Sequence, residues 1–238
     1  MTESEWLAFA DPTAMLEAIS TSGDPVTDSM GRLVSDRKLR LFACACCRQI
    51  WHLLADERSR QAVEVAERYV DGEASDKERD VARDAAWDAA WDGAWDAAWA
   101  GAWTAAGGGA WDAARGAAGA ATWSAAQAGA KCAAGAAARV AAWSAARVVQ
   151  TVPLRDIVNP FRPVAISRDW LTPSARGIAQ VAYEDRLPDG TLDPVSLAVL
   201  SDALEEAGCG SSDLLAHLRS PGPHVRGCWA VDLVLGRE

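Results

Sequence analysis

From Arg79 to Gln150 the chain is written in four-residue units without one slip of register, reading WDAA, WDGA, WTAA, WSAA and their variants. Trp87, Trp91, Trp95, Trp99, Trp103, Trp111, Trp123 and Trp143 all take the first place of a unit. Ala takes the fourth place everywhere except in the units ending at Thr122 and Gln150. Alanine is the best helix former, and no proline interrupts the chain between Pro25 and Pro153, so the repeat is read as helix. Ser75 with Glu78 three places on has the form of a capping box and sets the start. A solenoid of short extended segments would want β-branched residues, which the stretch nearly lacks.

The period creates a geometric problem. Four residues advance an α-helix by about 400°, so each tryptophan sits about 40° round from the last. No single seam can hold the whole row, because a normal apolar stripe is narrower than the arc that several tetrads sweep. Gly107-Gly108-Gly109 is the natural break, since glycine is poor inside a helix and free to turn. Folding there gives a long antiparallel hairpin in which Trp87 faces Gly129, Trp95 faces Ala121 and Trp123 faces Gly93. Large knobs would then meet small holes along the seam. One long helix bent at the glycines is the plainer alternative.

Composition narrows the classes. The uncharged runs Ala97–Trp111 and Gly116–Ala130 fall short of the roughly 20 residues a spanning helix needs, so no membrane segment is expected. A net charge of −10 argues against a general nucleic-acid binder. The acidic opening Met1-Thr-Glu-Ser-Glu lacks the apolar region of a secretory signal. Six cysteines, three of them in Cys44-Ala-Cys46-Cys47, suit a reducing cytoplasm better than a disulfide framework.

Outside the repeat the pattern is again helical. Asp11-Pro12, Thr172-Pro173 and Asp193-Pro194 each read as an N-cap followed by proline at the first helical position. Arg37–Ala55 is apolar almost all round, with Arg37, Arg40, Arg48 and His52 as a narrow polar strip, which marks a buried helix. A helix of about 57–70 follows, and Ser212 is read as the cap of a short one to Arg219. Pro153, Pro160 and Pro163 read as an extended connector anchored by Phe161. Val225–Leu235 is a last apolar segment expected to touch Arg37–Ala55. No alternating apolar pattern of useful length occurs, and the fold class is all-α.

The flanks carry DRKLRLFACACCRQIWHLL at Asp36–Leu54, DERSRQAVEVAERYVDG at Asp56–Gly72 and GPHVRGCWAVDLVLG at Gly222–Gly236. With MTESEWL and LSDALEEAGC, these segments resemble a large paralogous family of uncharacterised bacterial proteins that keep the flanks and vary an Ala-rich middle. The resemblance implies a composite helical domain of residues 1–76 and 151–238 carrying residues 77–150 as an inserted helical hairpin. It transfers no catalytic residue, because the family has no established activity.

Chemistry is sparse. Cys44 and Cys47 lie at i, i+3 on one helix, and His224 and Cys228 have a plausible ligand spacing, so a tetrahedral zinc site drawn from these four is one reading. Small buried cysteines in a helical core are the commoner one. Asp232, near Trp229 in an apolar segment, reads as a structural ion-pair partner of Arg226 or Arg48. Arg37, Lys38, Arg40 and Arg48 read as ion-pair partners or a solvated strip rather than a nucleic-acid surface. No nucleophile elbow, phosphate loop or metalloprotease motif is present, and no small-molecule substrate is evident. The sequence therefore points to a non-enzymatic scaffold without a cofactor. Its eight repeat tryptophans would serve recognition of a protein partner or self-association. The alternative is a regulatory metal or thiol domain centred on Cys44, Cys46, Cys47, His224 and Cys228.

Overall fold

The computed structural model describes residues 2–21, 34–91, 97–107, 109–131, 136–159, 161 and 164–237; in the helices it leaves out the side chains of 20–21, 90–91, 97–99, 111, 122–131 and 136–143. Twelve α-helices account for the architecture of the described residues, with two isolated β-bridges and no strand. The helices are α1 Glu3–Ala8, α2 Pro12–Thr21, α3 Asp36–Gln49, α4 Glu57–Val70, α5 Asp76–Trp91 and α6 Ala97–Ala105. They continue as α7 Ala110–Lys131, α8 Ala136–Ile157, α9 Pro173–Glu184, α10 Pro194–Glu206, α11 Ser212–Leu218 and α12 Trp229–Leu235. The protein is all-α. None of the described helices is long and apolar enough to cross a membrane.

Local signals start these helices where the physics requires. The Ser75 amide donates to Glu78 Oε2 at 2.8 Å, and the Glu78 amide donates to Ser75 Oγ at 3.2 Å, closing the capping box of α5. Thr172 and Asp193 cap α9 and α10 ahead of their prolines. Ser211, not Ser212, caps α11.

Two apolar cores form. The first joins α1–α8 and centres on α3, whose Leu41, Phe42, Cys44, Cys46 and Cys47 are buried among repeat alanines such as Ala86, Ala102, Ala113 and Ala117. The second joins α9–α12 around Tyr183, Leu197, Leu200, Leu204 and Trp229. These contacts draw a different boundary from the one the flank motifs suggested, because the described repeat residues from Ala82 to Ala121 share a core with residues 1–76. The reason is side-chain size. A β-carbon added at Gly101 of α6 would lie 3.3 Å from Cys47 Sγ, and one added at Gly116 of α7 only 2.8 Å from Thr104 Cγ2. Backbones with such small side chains approach closely, and the repeat wraps α3.

The long two-helix hairpin is also corrected. The chain does turn at the glycines, where Arg40 of α3 donates to the Gly107 carbonyl at 2.6 Å, and α6 packs on α7. Yet the Trp87 and Trp103 ring centroids are 5.4 Å apart. On one straight helix their residues would be separated by about 24 Å of rise. The chain therefore folds back once more between α5 and α6, and Trp87 meets another tryptophan; the expected pairing with Gly129 lies outside the described side chains.

Pro153 is a third correction, because it lies inside α8 rather than in an extended connector. Proline removes the amide that would bond the carbonyl four residues back. That carbonyl, Val149 O, instead accepts from Gln49 Nε2 at 3.3 Å, so α3 supplies the missing donor. Phe161 does anchor the chain beyond α8, with its ring 6.4 Å from that of Trp6.

The two cores meet at a charged junction. Arg37 donates to Asp71 and, at 2.7 Å, to Asp232, while Lys38 lies 3.1 Å from Asp232 and also donates to the Gly227 carbonyl. The expected contact between Arg37–Ala55 and Val225–Leu235 is thus present. Asp232 is a structural ion-pair partner, but of Arg37 and Lys38 rather than Arg226 or Arg48. Tyr183 donates to Asp71 at 2.8 Å and accepts from Arg37 at 2.7 Å. Burial pushes the Tyr183 phenol up to about 12, and Arg226 and Arg37 hold Asp71 below the usual carboxylate range despite its burial.

Candidate metal centre

Four side chains converge at the seam between the cores: Asp156 from the last turn of α8, His217 from α11, His224 from the loop after it, and Cys228 at the N-cap of α12. Their donor atoms all lie within 4.8 Å of one another. His224 Nδ1 is 2.7 Å and His217 Nε2 3.1 Å from Asp156 Oδ1. Cys228 Sγ is 3.2 Å from His217 Nε2 and 3.8 Å from His224 Nδ1. A zinc ion with bonds of 2.0–2.3 Å sets edges of about 3.3–3.7 Å between its tetrahedral ligands, and these spacings bracket that value.

The surroundings orient each donor. His224 Nε2 lies 3.1 Å from the Ser220 hydroxyl and 3.2 Å from the Ser220 carbonyl, which fix the plane of the ring. His224 Nδ1 lies 2.7 Å from Asp156 Oδ1 and carries the hydrogen that the two share, and a metal ion bound there would take that hydrogen's place. The second Asp156 oxygen accepts from the Val225 amide at 2.8 Å, leaving Oδ1 to face the cluster. His217 is wedged by Trp229, their ring centroids 4.7 Å apart. The loop is shaped to deliver His224: Gly222 sits at φ +76, and a β-carbon there would lie 2.7 Å from the His224 nitrogen.

Electrostatics match a cluster of donors out of water. Burial opposes ionisation of Asp156, but hydrogen bonds from His217 and His224 more than offset it and hold the carboxyl well below its ordinary range. Burial lowers His224, yet its bond to Asp156 leaves it raised overall. Burial, and then the Asp156 charge, push the Cys228 thiol well up. Asp156, His224 and Cys228 are enclosed, while the His217 side chain keeps 21% of its surface and borders a groove with Trp6 and Asp213.

Of the four ligands read from sequence, the structure brings together His224 and Cys228. Cys44 and Cys47 do not join them. Cys44 points its thiol at the Val63 carbonyl, 3.9 Å away, and Cys47 packs where α6 passes at Gly101. Burial pushes both thiols, and that of Cys46, well up, as packed core cysteines should be. The five described cysteines are free and buried, and Cys132 lies outside the described residues. Sequence reasoning missed Asp156, placed in what read as a connector. It gave His217 no part in the ligand set, although the spacing His217-x₆-His224-x₃-Cys228 was the available signal.

Of the eight tryptophans assigned to interaction, Trp87 is 37% exposed and packs at a tilt against the half-buried Trp103. The side chains of Trp91, Trp95, Trp99, Trp111, Trp123 and Trp143 lie outside the described residues. Comparison with known protein families, curated proteins and solved structures finds no match in any of the three.

Proposed function

We propose that this is a non-enzymatic, metal-clamped helical scaffold in which Asp156, His217, His224 and Cys228 hold one zinc ion. The observation that carries the reading is the convergence of two imidazoles, a thiol and a carboxylate, with His224 held by Ser220 so that Nδ1 faces Asp156 and Cys228. Mixed nitrogen and sulfur donors favour zinc over magnesium or calcium, which prefer all-oxygen sites. Four protein ligands fill a tetrahedron and leave no open position for substrate, so the ion is structural. It would tie the end of α8 to α11 and α12, joining the alanine core to the C-terminal core. Five free buried thiols fit a reducing cytoplasm, where we place the protein.

Metal content per chain is the test. Protein purified without chelator should carry about one zinc per chain. His217→Ala and Cys228→Ser should each lose most of it, while Cys44→Ser should keep it. Zinc-free wild type, or full occupancy in the His217→Ala/Cys228→Ser double variant, would reject the reading.

A second role rests on the exposed apolar side chains of α5, Trp87 at 37% and Val81 at 61%. There the scaffold would recognise a protein partner or a second copy. Equilibrium sedimentation should show self-association weakened by Trp87→Ala. A monomer at high concentration would remove the self-association form.

A further inference from the structure

The four donors of the candidate centre are not held alike. The side chains of Asp156 and His224 keep 5% and 1% of their surface, and Cys228 keeps none, whereas the His217 side chain keeps 21%. Of the four, His217 alone looks outward.

The support behind each donor divides in the same way. Asp156 is fixed through its second oxygen, which accepts from the Val225 amide at 2.8 Å. His224 is fixed through its second ring nitrogen by the Ser220 hydroxyl and carbonyl, at 3.1 and 3.2 Å. Cys228 is fixed by its backbone: its amide donates to the Val225 carbonyl at 2.9 Å, and its carbonyl accepts from the Asp232 amide at 2.9 Å. His217 has no bond of this kind. Its ring meets Asp156 at 3.1 Å and Cys228 at 3.2 Å, both through Nε2, the nitrogen that would bind the ion. Its Nδ1 has no hydrogen-bond partner among the described residues. A histidine ligand is ordinarily oriented by a hydrogen bond from its other ring nitrogen, so this ring is the least constrained of the donors.

The space beside His217 gives the ring somewhere to go. The rings of Trp229 and His224 flank it, their centroids 4.7 and 4.8 Å away. Beyond it lies a groove of about 330 Å³, lined by Trp6, Leu7, Arg155, Asp213, Ala216 and Trp229. That volume is at the lower end of the range of small-molecule sites. Leu214, Leu215 and Leu218 anchor α11 in the core, so His217 can turn about its own side-chain bonds without moving the helix.

We infer that His217 is the exchangeable ligand of the zinc site and that the ion is taken up and given up through this groove, an inference that rests on the zinc reading above. The zinc–nitrogen bond to His217 breaks as a bond to an incoming small nitrogen or sulfur donor forms in the groove. Asp156, His224 and Cys228 keep their hold until that donor completes the transfer. The site is thus filled according to the zinc supply rather than sealed when the chain folds.

Transfer of zinc from the loaded full-length protein to the chromophoric chelator pyridylazoresorcinol tests this, once the zinc content of each sample has been measured. Release from the wild type should quicken as chelator concentration rises, because the chelator enters the groove before the ion leaves. Leu7→Trp and Ala216→Trp, at exposed positions on the groove where folding is at little risk, should each slow transfer several-fold and leave the zinc content unchanged. Val195→Trp, at a 70%-exposed position on α10, should leave the rate as in the wild type. A rate independent of chelator concentration, or the same rate in the groove variants as in the wild type at full zinc content, would overturn this inference alone. So would equal slowing by all three variants. A wild type that carries no zinc and cannot be loaded would overturn the zinc reading as well.

Discussion

The two cores of this protein reach the same all-helical outcome by opposite means. Around α3 the repeat contributes alanine and glycine, and helices close on one another until one backbone meets the other's side chain, as Gly116 does against Thr104. In α9–α12 the core is filled by Tyr183, Trp229 and a set of leucines, with the helices held apart by their side chains. The first arrangement draws its packing from close approach and high helix propensity. The second depends on apolar area removed from water. A strict tetrad repeat is therefore compatible with a folded interior even though alanine buries little surface.

Substitutions in opposite directions break this comparison most sharply. Leu200→Ala in the second core removes a fully buried side chain and should cost about 2–5 kcal/mol. Ala117→Leu in the first inserts bulk where none fits and should cost about 1–3 kcal/mol, although leucine is nearly as good a helix former. Urea unfolding of the two variants measures both. A tolerated Ala117→Leu would mean that the repeat is not close-packed against α3.

Much of the fold was legible in the sequence, and the failures have physical causes. Helix starts at Ser75, Thr172 and Asp193 were readable because capping is a contact between residues two or three apart. Pro153 misled because the donor that replaces its amide, Gln49, lies in α3. The extra fold between α5 and α6 was hidden because a register of tryptophans every four residues is the same whether the chain runs straight or reverses. Half of the candidate metal centre, His224 and Cys228, was visible through local spacing. Asp156 was not, since only the docking of α8 against the last loop brings it there.

The junction between the cores should set the response to pH. Glu67 and Asp71 are both depressed: burial opposes their ionisation, but Arg48 offsets it for Glu67, and Arg226 and Arg37 offset it for Asp71. A depressed carboxylate contributes stability above its unfolded value near 4, and that contribution is lost as pH falls through the folded value. Stability should hold between about pH 5 and 8 and decline below about pH 4. Tyr183 works at the other end. Raised to about 12, it contributes stability below its unfolded value near 10, lost as pH climbs toward 12. Tyr183→Phe should leave Asp71 and Arg37 short of a partner, cost about 1–2 kcal/mol and flatten the alkaline limb. An unchanged alkaline limb would show that Tyr183 does not couple the cores.

The smallest expected effects come from a matched pair of glycines on α7. At Gly119 an added β-carbon meets nothing within 4 Å, so Gly119→Ala should stabilise by about 0.5–1 kcal/mol through helix propensity. At Gly116 the same change pushes on Thr104, whose hydroxyl is tied to the Ala100 and Gly101 carbonyls, and should cancel or reverse that gain. Equal stabilisation at both sites would deny the close approach of α6 and α7.

The claim on which the account turns is that a metal ion fastens the two cores together at Asp156, His217, His224 and Cys228. Calorimetric melting of the zinc-loaded protein, before and after removal of the metal by a chelator, addresses it directly. A ligand at a thousandfold excess over its Kd adds about 4 kcal/mol, or about 10 °C for a chain of this size. The account predicts one transition with zinc, and without it an earlier, separate melting of the α9–α12 core that zinc reverses. Superimposable curves in the two conditions would contradict it.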